Sequence, residues 1–294
     1  MRVRFARLMD ATDVRRRAEL FRQYHEERDI LVLPNPWDIG TARLLQNAGF
    51  RALATTSAGL AFALGKRDGD GSVTPDEAFR HAQDLVEATR VPISADLENG
   101  FGASPEAVAK TIVRAAEVGL AGASIEDATL GGAEPLFERT LAVERIHAAV
   151  EAVRSLDRPF VLTARAENFI RNRPDLDDVL WRLDAYARAG ADVLYAPGLP
   201  DERAIRLVCT TFDKPINYVV GVRPPWFSIA ELADMGIRRV TFGTSMIRFA
   251  LATLLRAADG VLERGDCTFV DGLPSVADFN RLIDPPAQAF VSNR

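Results

Sequence analysis

Short apolar, β-branched runs alternate along the chain with segments rich in Ala, Arg and Glu whose apolar positions recur at helical spacing. That alternation is the pattern of strands and helices built around a parallel sheet. Strands are predicted at ILVLP (30–34), RALATT (51–56), VPISADL (91–97), LAGASIE (120–126), PFVLTAR (159–165), ADVLYAP (191–197), PINYVV (215–220) and RRVTFG (238–243). Helices are predicted at 38–48, 74–89, 104–118, 141–155, 175–189, 201–212, 228–235 and 245–263. The breakers agree with this division. NAGF, EVGL, RAGA and DMGI each place a glycine where a helix passes into the next strand, and VTPDEA and ASPEAV set a Thr or Ser N-cap before a proline at the first helical position. Eight βα units over about 230 residues match an α/β fold of the (β/α)8 barrel type. An open doubly wound sheet is the alternative, but the GxGxxG fingerprint after the first strand is missing. The expected division is an N-terminal helical segment (1–29, its helix at 13–28), the barrel (30–263) and a loop-rich C-terminal extension with one helix (264–294), which would pack on another subunit.

Composition narrows the class of partner. The 294 residues are 48% hydrophobic and 26% charged with a formal net charge of -5, enough apolar material for a large core and no basic footprint for nucleic acid. No run approaches the length of a membrane span, and the first residues lack the apolar region of a signal peptide, so a cytoplasmic protein is expected. Cys209 and Cys267 stand alone, without zinc-site or disulfide spacing.

A barrel carries its chemistry at the C-terminal ends of its strands. Strand three ends in Asp96 and Glu98, strand four in Glu126 and Asp127, strand five in Arg165 with Glu167 and Asn168 beyond, and strand seven carries Asn217. Alternation turns Asp96 and Glu98 to one face and Ile93, Ala95 and Leu97 to the other, so both acids are expected in the barrel mouth. Three inward acids on adjacent strands, Asp96, Glu98 and Glu126, repel one another unless a cation neutralises them. With oxygen donors only, that cation is expected to be Mg²⁺ or Mn²⁺. A plain structural reading stands beside it, in which Arg165 pairs with Glu126. His25, His81 and His147 fall inside helices, and of Lys66, Lys110 and Lys214 only Lys66 lies in a βα loop, which disfavours a histidine base or a Schiff-base lysine.

TTSAGLAFALGKRDG, ADLENGFG, GASIEDA and LTARAE, in this order at successive strand ends, resemble the isocitrate lyase/phosphoenolpyruvate mutase superfamily over roughly residues 30 to 260. The resemblance implies a Mg²⁺-dependent barrel that acts on a small 2-oxo or 2-hydroxy carboxylate through a metal-stabilised enolate, cleaving a C–C bond or rearranging a P–C bond. It implies that Asp96 binds the metal directly, that Glu98 and Glu126 reach it partly through water, and that Asp68 lies near it. Arg165, Glu126 and Asp68 would be catalytic, with Ser57, Ala58 and Gly59 of the loop after strand two holding the substrate's carboxylate and Asn217 a further polar contact. Assembly as a homodimer or homotetramer by exchange of the last barrel helix is implied as well. One segment departs from the pattern: ATLGGAEPLFE (128–138) lacks the Cys, His or Lys that the best-known members carry in the loop after strand four. That leaves a divergent lyase, a carboxyvinyl-carboxyphosphonate phosphorylmutase-like enzyme, or a non-catalytic 2-oxo acid binding barrel.

Overall fold

The computed structural model describes residues 10–129, 131 and 134–284. Eight parallel strands form one sheet: β1 Leu31–Leu33, β2 Leu53–Ala54, β3 Ile93–Asp96, β4 Gly122–Glu126, β5 Val161–Arg165, β6 Val193–Tyr195, β7 Ile216–Val219 and β8 Arg239–Thr241. Each ladder joins neighbours in chain order, and β1 pairs with β8. Between β1 and β2 the ring is closed by the Ala54 N–H donating to the Pro34 carbonyl at 3.0 Å. The result is the (β/α)8 barrel that the periodicity implies.

The helices are α1 Ala11–Glu26, α2 Ile39–Asn47, α3 Ser57–Ala63, α4 Pro75–Ala88, α5 Pro105–Glu117, α6 Arg139–Arg154, α7 Leu176–Ala189, α8 Glu202–Thr211, α9 Ile229–Asp234, α10 Ser245–Arg264 and α11 Val276–Ile283. Their starts follow local chemistry: Thr74 and Ser104 accept from the third helical N–H ahead of Pro75 and Pro105, which need no donor at that position. One helix departs from expectation. Ser57, Ala58 and Gly59 open the seven-residue α3 instead of forming a loop, with Thr56 accepting from the Gly59 N–H at 3.2 Å.

Two apolar layers result. The larger lies between strands and outer helices, where Ile93, Ala95, Leu97, Ala123, Ile125 and Leu162 are buried against Val108, Ile112 and Ile146. The smaller lies inside the barrel at its N-terminal end, where Ala18 and Phe21 of α1 pack on Leu31, Leu33, Ala52, Ala121, Val161 and Val193. Helix α1 is therefore the bottom plug. Gly122 makes room for it, since a Cβ there would stand 2.9 Å from Phe21 and 2.5 Å from the Val161 carbonyl. Helix α10 does not follow the pattern of the others. Among its residues only Ile247 and Gly260 are buried, while Phe249 is 74% and Leu262 84% exposed. Helix α11 returns to α2, where the Asn47 amide donates to the Leu282 and Asp284 carbonyls at 2.6 and 2.9 Å. Among the described residues no helix is long and apolar enough to cross a membrane.

Candidate active site

The inward phase of β3, β4 and β5 delivers Asp96, Glu126 and Arg165 to one end of the barrel, with Glu126 and Arg165 paired in register. Arg165 sits among the acids. Its Nη1 donates to Asp96 Oδ1 at 3.1 Å, its Nη2 to Glu126 Oε2 at 3.1 Å and its Nε to Glu167 Oε1 at 2.7 Å. From the turn after β5, Arg171 adds a second guanidinium to Glu126 at 3.2 Å. The pairing of Arg165 with Glu126 that sequence alone left open is therefore present, as one arm of a larger cluster. Asp96 is held from its other side as well: Oδ2 accepts the Ser57 hydroxyl at 2.8 Å and the Ser57 N–H at 3.2 Å.

Charge does not balance in this cluster. Burial opposes the Arg165 charge, but Glu126, Glu167 and Asp96 outweigh it and hold the guanidinium protonated well above its ordinary range. The acids outnumber their partners, so some are pushed the other way. Burial raises Glu126, and it raises Glu167 to about 8 although Arg165 stands beside it. Glu98 rises to about 7, through burial and then the charges of Asp96, Glu126 and Asp68. Asp68 is raised by burial and by Asp96. Five carboxyl groups thus share two guanidinium groups, and the excess negative charge calls for protons or a cation.

Glu98 and Gly59 depart from their expected placements, and Asp127 and Lys66 are engaged away from the cavity. Glu98 does not reach the mouth by strand alternation, because β3 ends at Asp96 and Glu98 lies in the left-handed region with φ 50°. Its carbonyl accepts the Glu126 N–H at 2.9 Å, so the residue belongs to a bent loop. Asp127 turns away from the mouth and binds Arg182 at 3.0 Å and the Tyr186 hydroxyl at 2.7 Å. Gly59 spends its N–H on Thr56 and does not line the cavity, whereas Ser57 and Ala58 do. Lys66 is paired with Glu77 at 2.6 Å. Of the 128–138 loop, Leu130, Gly132 and Ala133 lie outside the described residues. Its base is closed by the Phe137 N–H on the Asp127 carbonyl at 2.8 Å and the Thr129 N–H on the Pro135 carbonyl at 3.0 Å.

Arg171 of this cluster was not singled out from sequence, and neither were two further arginines. Arg145 of α6 donates to the carbonyls of Asn99, Gly102 and Ala103, pinning the loop that follows β3 and with it the strained Glu98 and Phe101 backbone. Arg239 of β8 lies in the barrel interior. Both are buried.

A cavity of about 210 Å³ opens above these residues. Asp68, Asp96 and Arg165 line one side, and Tyr195, Asn217 and Arg239 the other. Its size is below the roughly 300–1,000 Å³ of pockets that enclose drug-sized ligands, which suits a small molecule.

With this geometry in view, comparison with known proteins is decisive. The phosphoenolpyruvate phosphomutase family profile matches residues 21–262. The chain belongs to the isocitrate lyase/phosphoenolpyruvate mutase superfamily. A crystal structure of a Burkholderia cenocepacia J2315 protein, provisionally called a lyase/mutase, is 48% identical with a TM-score of 0.91, over 94% of this chain and 98% of that one. The 2,3-dimethylmalate lyase of Eubacterium barkeri is 28% identical over 90% of this chain and 93% of its own. The 2-methylisocitrate lyase of Halalkalibacterium halodurans is 27% identical over 84% and 83%.

In this superfamily member, no three His, Cys, Asp or Glu side chains among the described residues form a ready-made cage for an ion. The donor set is instead a sparse, oxygen-only group with excess negative charge around Asp96. That fits a hard divalent cation that keeps several waters and takes further oxygens from a ligand.

Proposed function

We propose that the chain is a Mg²⁺-dependent lyase that cleaves a C–C bond in a small 2-oxo or 2-hydroxy carboxylate. The observation that carries this reading is Arg165, a guanidinium fixed by three carboxylates at the wall of a small cavity whose acids exceed their partners. Asp96 would hold the ion, with Asp68, Glu98 and Glu126 reaching it through water. Bound there, a divalent cation would supply Lewis-acid polarisation of a carboxylate and its neighbouring oxygen. Mn²⁺ suits the same donors.

The chain's own groups account for the rest. Of the five N–H donors of Arg165, three are committed to acids, which leaves two for a substrate oxygen that gains negative charge as the bond breaks. The three ion pairs hold these donors in place, so little reorganisation is needed during reaction. Ser57 fixes Asp96, and Asn217 offers an amide from the opposite wall. The relatives' names, a 2-methylisocitrate lyase and a 2,3-dimethylmalate lyase, support C–C cleavage. The family profile, that of phosphoenolpyruvate phosphomutase, favours P–C chemistry as the second reading.

A turnover screen with Mg²⁺ over oxaloacetate, 2-methylisocitrate, isocitrate, 2,3-dimethylmalate and phosphonopyruvate separates them. Release of a 2-oxo acid or oxalate is the expected result. A phosphorus NMR change on phosphonopyruvate would transfer the assignment to the second reading, and binding without turnover would leave a non-catalytic barrel. Assembly as a homodimer or homotetramer belongs to the same proposal, supported by the apolar side chains that α10 leaves exposed, among them Phe249, Leu254, Leu255 and Leu262. Sedimentation equilibrium should give a multiple of the monomer mass.

A further inference from the structure

Arg239 raises a separate problem at the floor of the cavity. It lies on β8 in the inward phase, two residues before Thr241, and is 3% exposed. Its side chain crosses the barrel, where Nη1 donates to the Thr163 hydroxyl of β5 at 2.8 Å. His25 of the plug helix α1 stands on the other side, with Nε2 at 3.5 Å from the same nitrogen. The His25 Nδ1 lies 2.7 Å from the Phe21 carbonyl and so carries the ring proton, which leaves Nε2 as a neutral acceptor. Burial, then the Arg239 charge, pushes His25 down to about 3, so no second cation forms there near neutral pH.

Among the described residues nothing negative answers Arg239: no carboxylate lies within ion-pair distance of it, and its Nε has no hydrogen-bond partner. Burial lowers it only to about 10, so the guanidinium remains charged at neutral pH. A buried charge with two neutral partners is costly unless an anion arrives to neutralise it. The cavity wall is where one can arrive, because Arg239 lines the same space as Asp68, Asp96 and Arg165.

We propose that Arg239 forms a deep anion subsite that receives the distal carboxylate of a dicarboxylate substrate. This rests on the reading of the mouth as a site for 2-oxo or 2-hydroxy carboxylates and narrows it to diacids. Thr163, which holds the guanidinium, lies two residues below Arg165 on β5, a step of about 6.6 Å along a strand. One short diacid can therefore place its reacting end at the mouth and its second carboxylate on the floor. The polarity of the cavity is matched to such a molecule: acids that need a cation at one end, and a lone cation at the other.

Calorimetric titrations with Mg²⁺ present would compare lactate, malate and malamate, which share the 2-hydroxy carboxylate end and differ in the distal group. Wild-type protein is expected to bind malate about tenfold or more tightly than malamate or lactate, the scale of one desolvated charge-assisted pair. In Arg239→Met the malate preference should vanish while lactate affinity stays within about twofold. Equal affinities for malate and malamate in the wild type, a comparison that needs no variant, would overturn the subsite. So would a folded Arg239→Met protein that keeps the malate preference. If none of the three binds the wild type with Mg²⁺, the reading of the mouth fails and the subsite with it, whereas lactate binding without discrimination defeats the subsite alone.

Discussion

The two halves of the barrel interior carry opposite problems. From β3 to β5, acids crowd around Arg165 and exceed it; from β6 to β8, Tyr195, Asn217, Thr241 and Arg239 face the same cavity with no acid among them. A mouth arginine with three carboxylates and a floor arginine with none are proposed to serve different ends of one ligand. Structural ion pairing alone would have matched charges locally, so the mismatch is the functional signal.

Removing the central carboxylate of the acid half should have the largest effect. Asp96→Ala is expected to abolish Mg²⁺ binding and reduce turnover at least about a thousandfold; calorimetry and a steady-state assay check this, and unchanged metal affinity would remove Asp96 from the site. Arg165→Met takes away the charge that buried Glu126 and Glu167 and part-buried Asp96 share, and should cost about 3–5 kcal/mol of stability in the metal-free protein, read by urea unfolding at pH 7.5. Added Mg²⁺ should restore part of that loss, since the cation answers the same acids.

Smaller effects sharpen the contrast. Arg145→Met should loosen the loop after β3 and cost about 2 kcal/mol, because three carbonyls lose a charged donor. Reduced Mg²⁺ affinity without loss of fold would show that its role is to position the Glu98 segment. The floor has its own pH signature. Because His25 is held at about 3 in the folded chain and returns to the ordinary range of about 6.5 when unfolded, the unfolded state takes up a proton first as pH falls. Its contribution to stability is therefore intact above about 6.5 and is lost progressively as pH drops towards 3, by about 1 kcal/mol between pH 6.5 and 5.5. Replacing His25 by Gln should flatten that part of the profile; an unchanged slope would mean that His25 is accessible to water. Least of all, Lys66→Met should change stability by under about 1 kcal/mol, since the Lys66–Glu77 pair is partly exposed.

Much of this was legible from the chain. The eight strands and the outer helices follow from apolar periodicity and from glycine, proline and hydroxyl breakers, because each outer helix has one face on the sheet and each strand alternates between two layers. Helix α3 escaped because SAGLAFA has no polar face to set a helical period and is only seven residues long. Glu98 was expected to reach the mouth by strand alternation, which a left-handed residue breaks. At the strand ends, Asp96, Glu126 and Arg165 were found since strand order brings them together. Arg239 was overlooked as half of an Arg238–Arg239 pair that looks like a solvated face; the usable signal was its phase, in step with Thr241 and opposite to the apolar Val240. Arg145 gave no such signal, since its carbonyl partners are fixed only by tertiary packing.

A crystal of the protein soaked in Mn²⁺ and oxalate and measured at the manganese edge would locate the divalent cation that the acids around Asp96 are proposed to hold in reach of a small carboxylate. The expected result is one anomalous peak about 2.1 Å from an Asp96 carboxylate oxygen, with oxalate on the same ion. No peak in the barrel mouth, with Asp96 still bonded to Arg165, Ser57 and the Glu98 N–H, would contradict it.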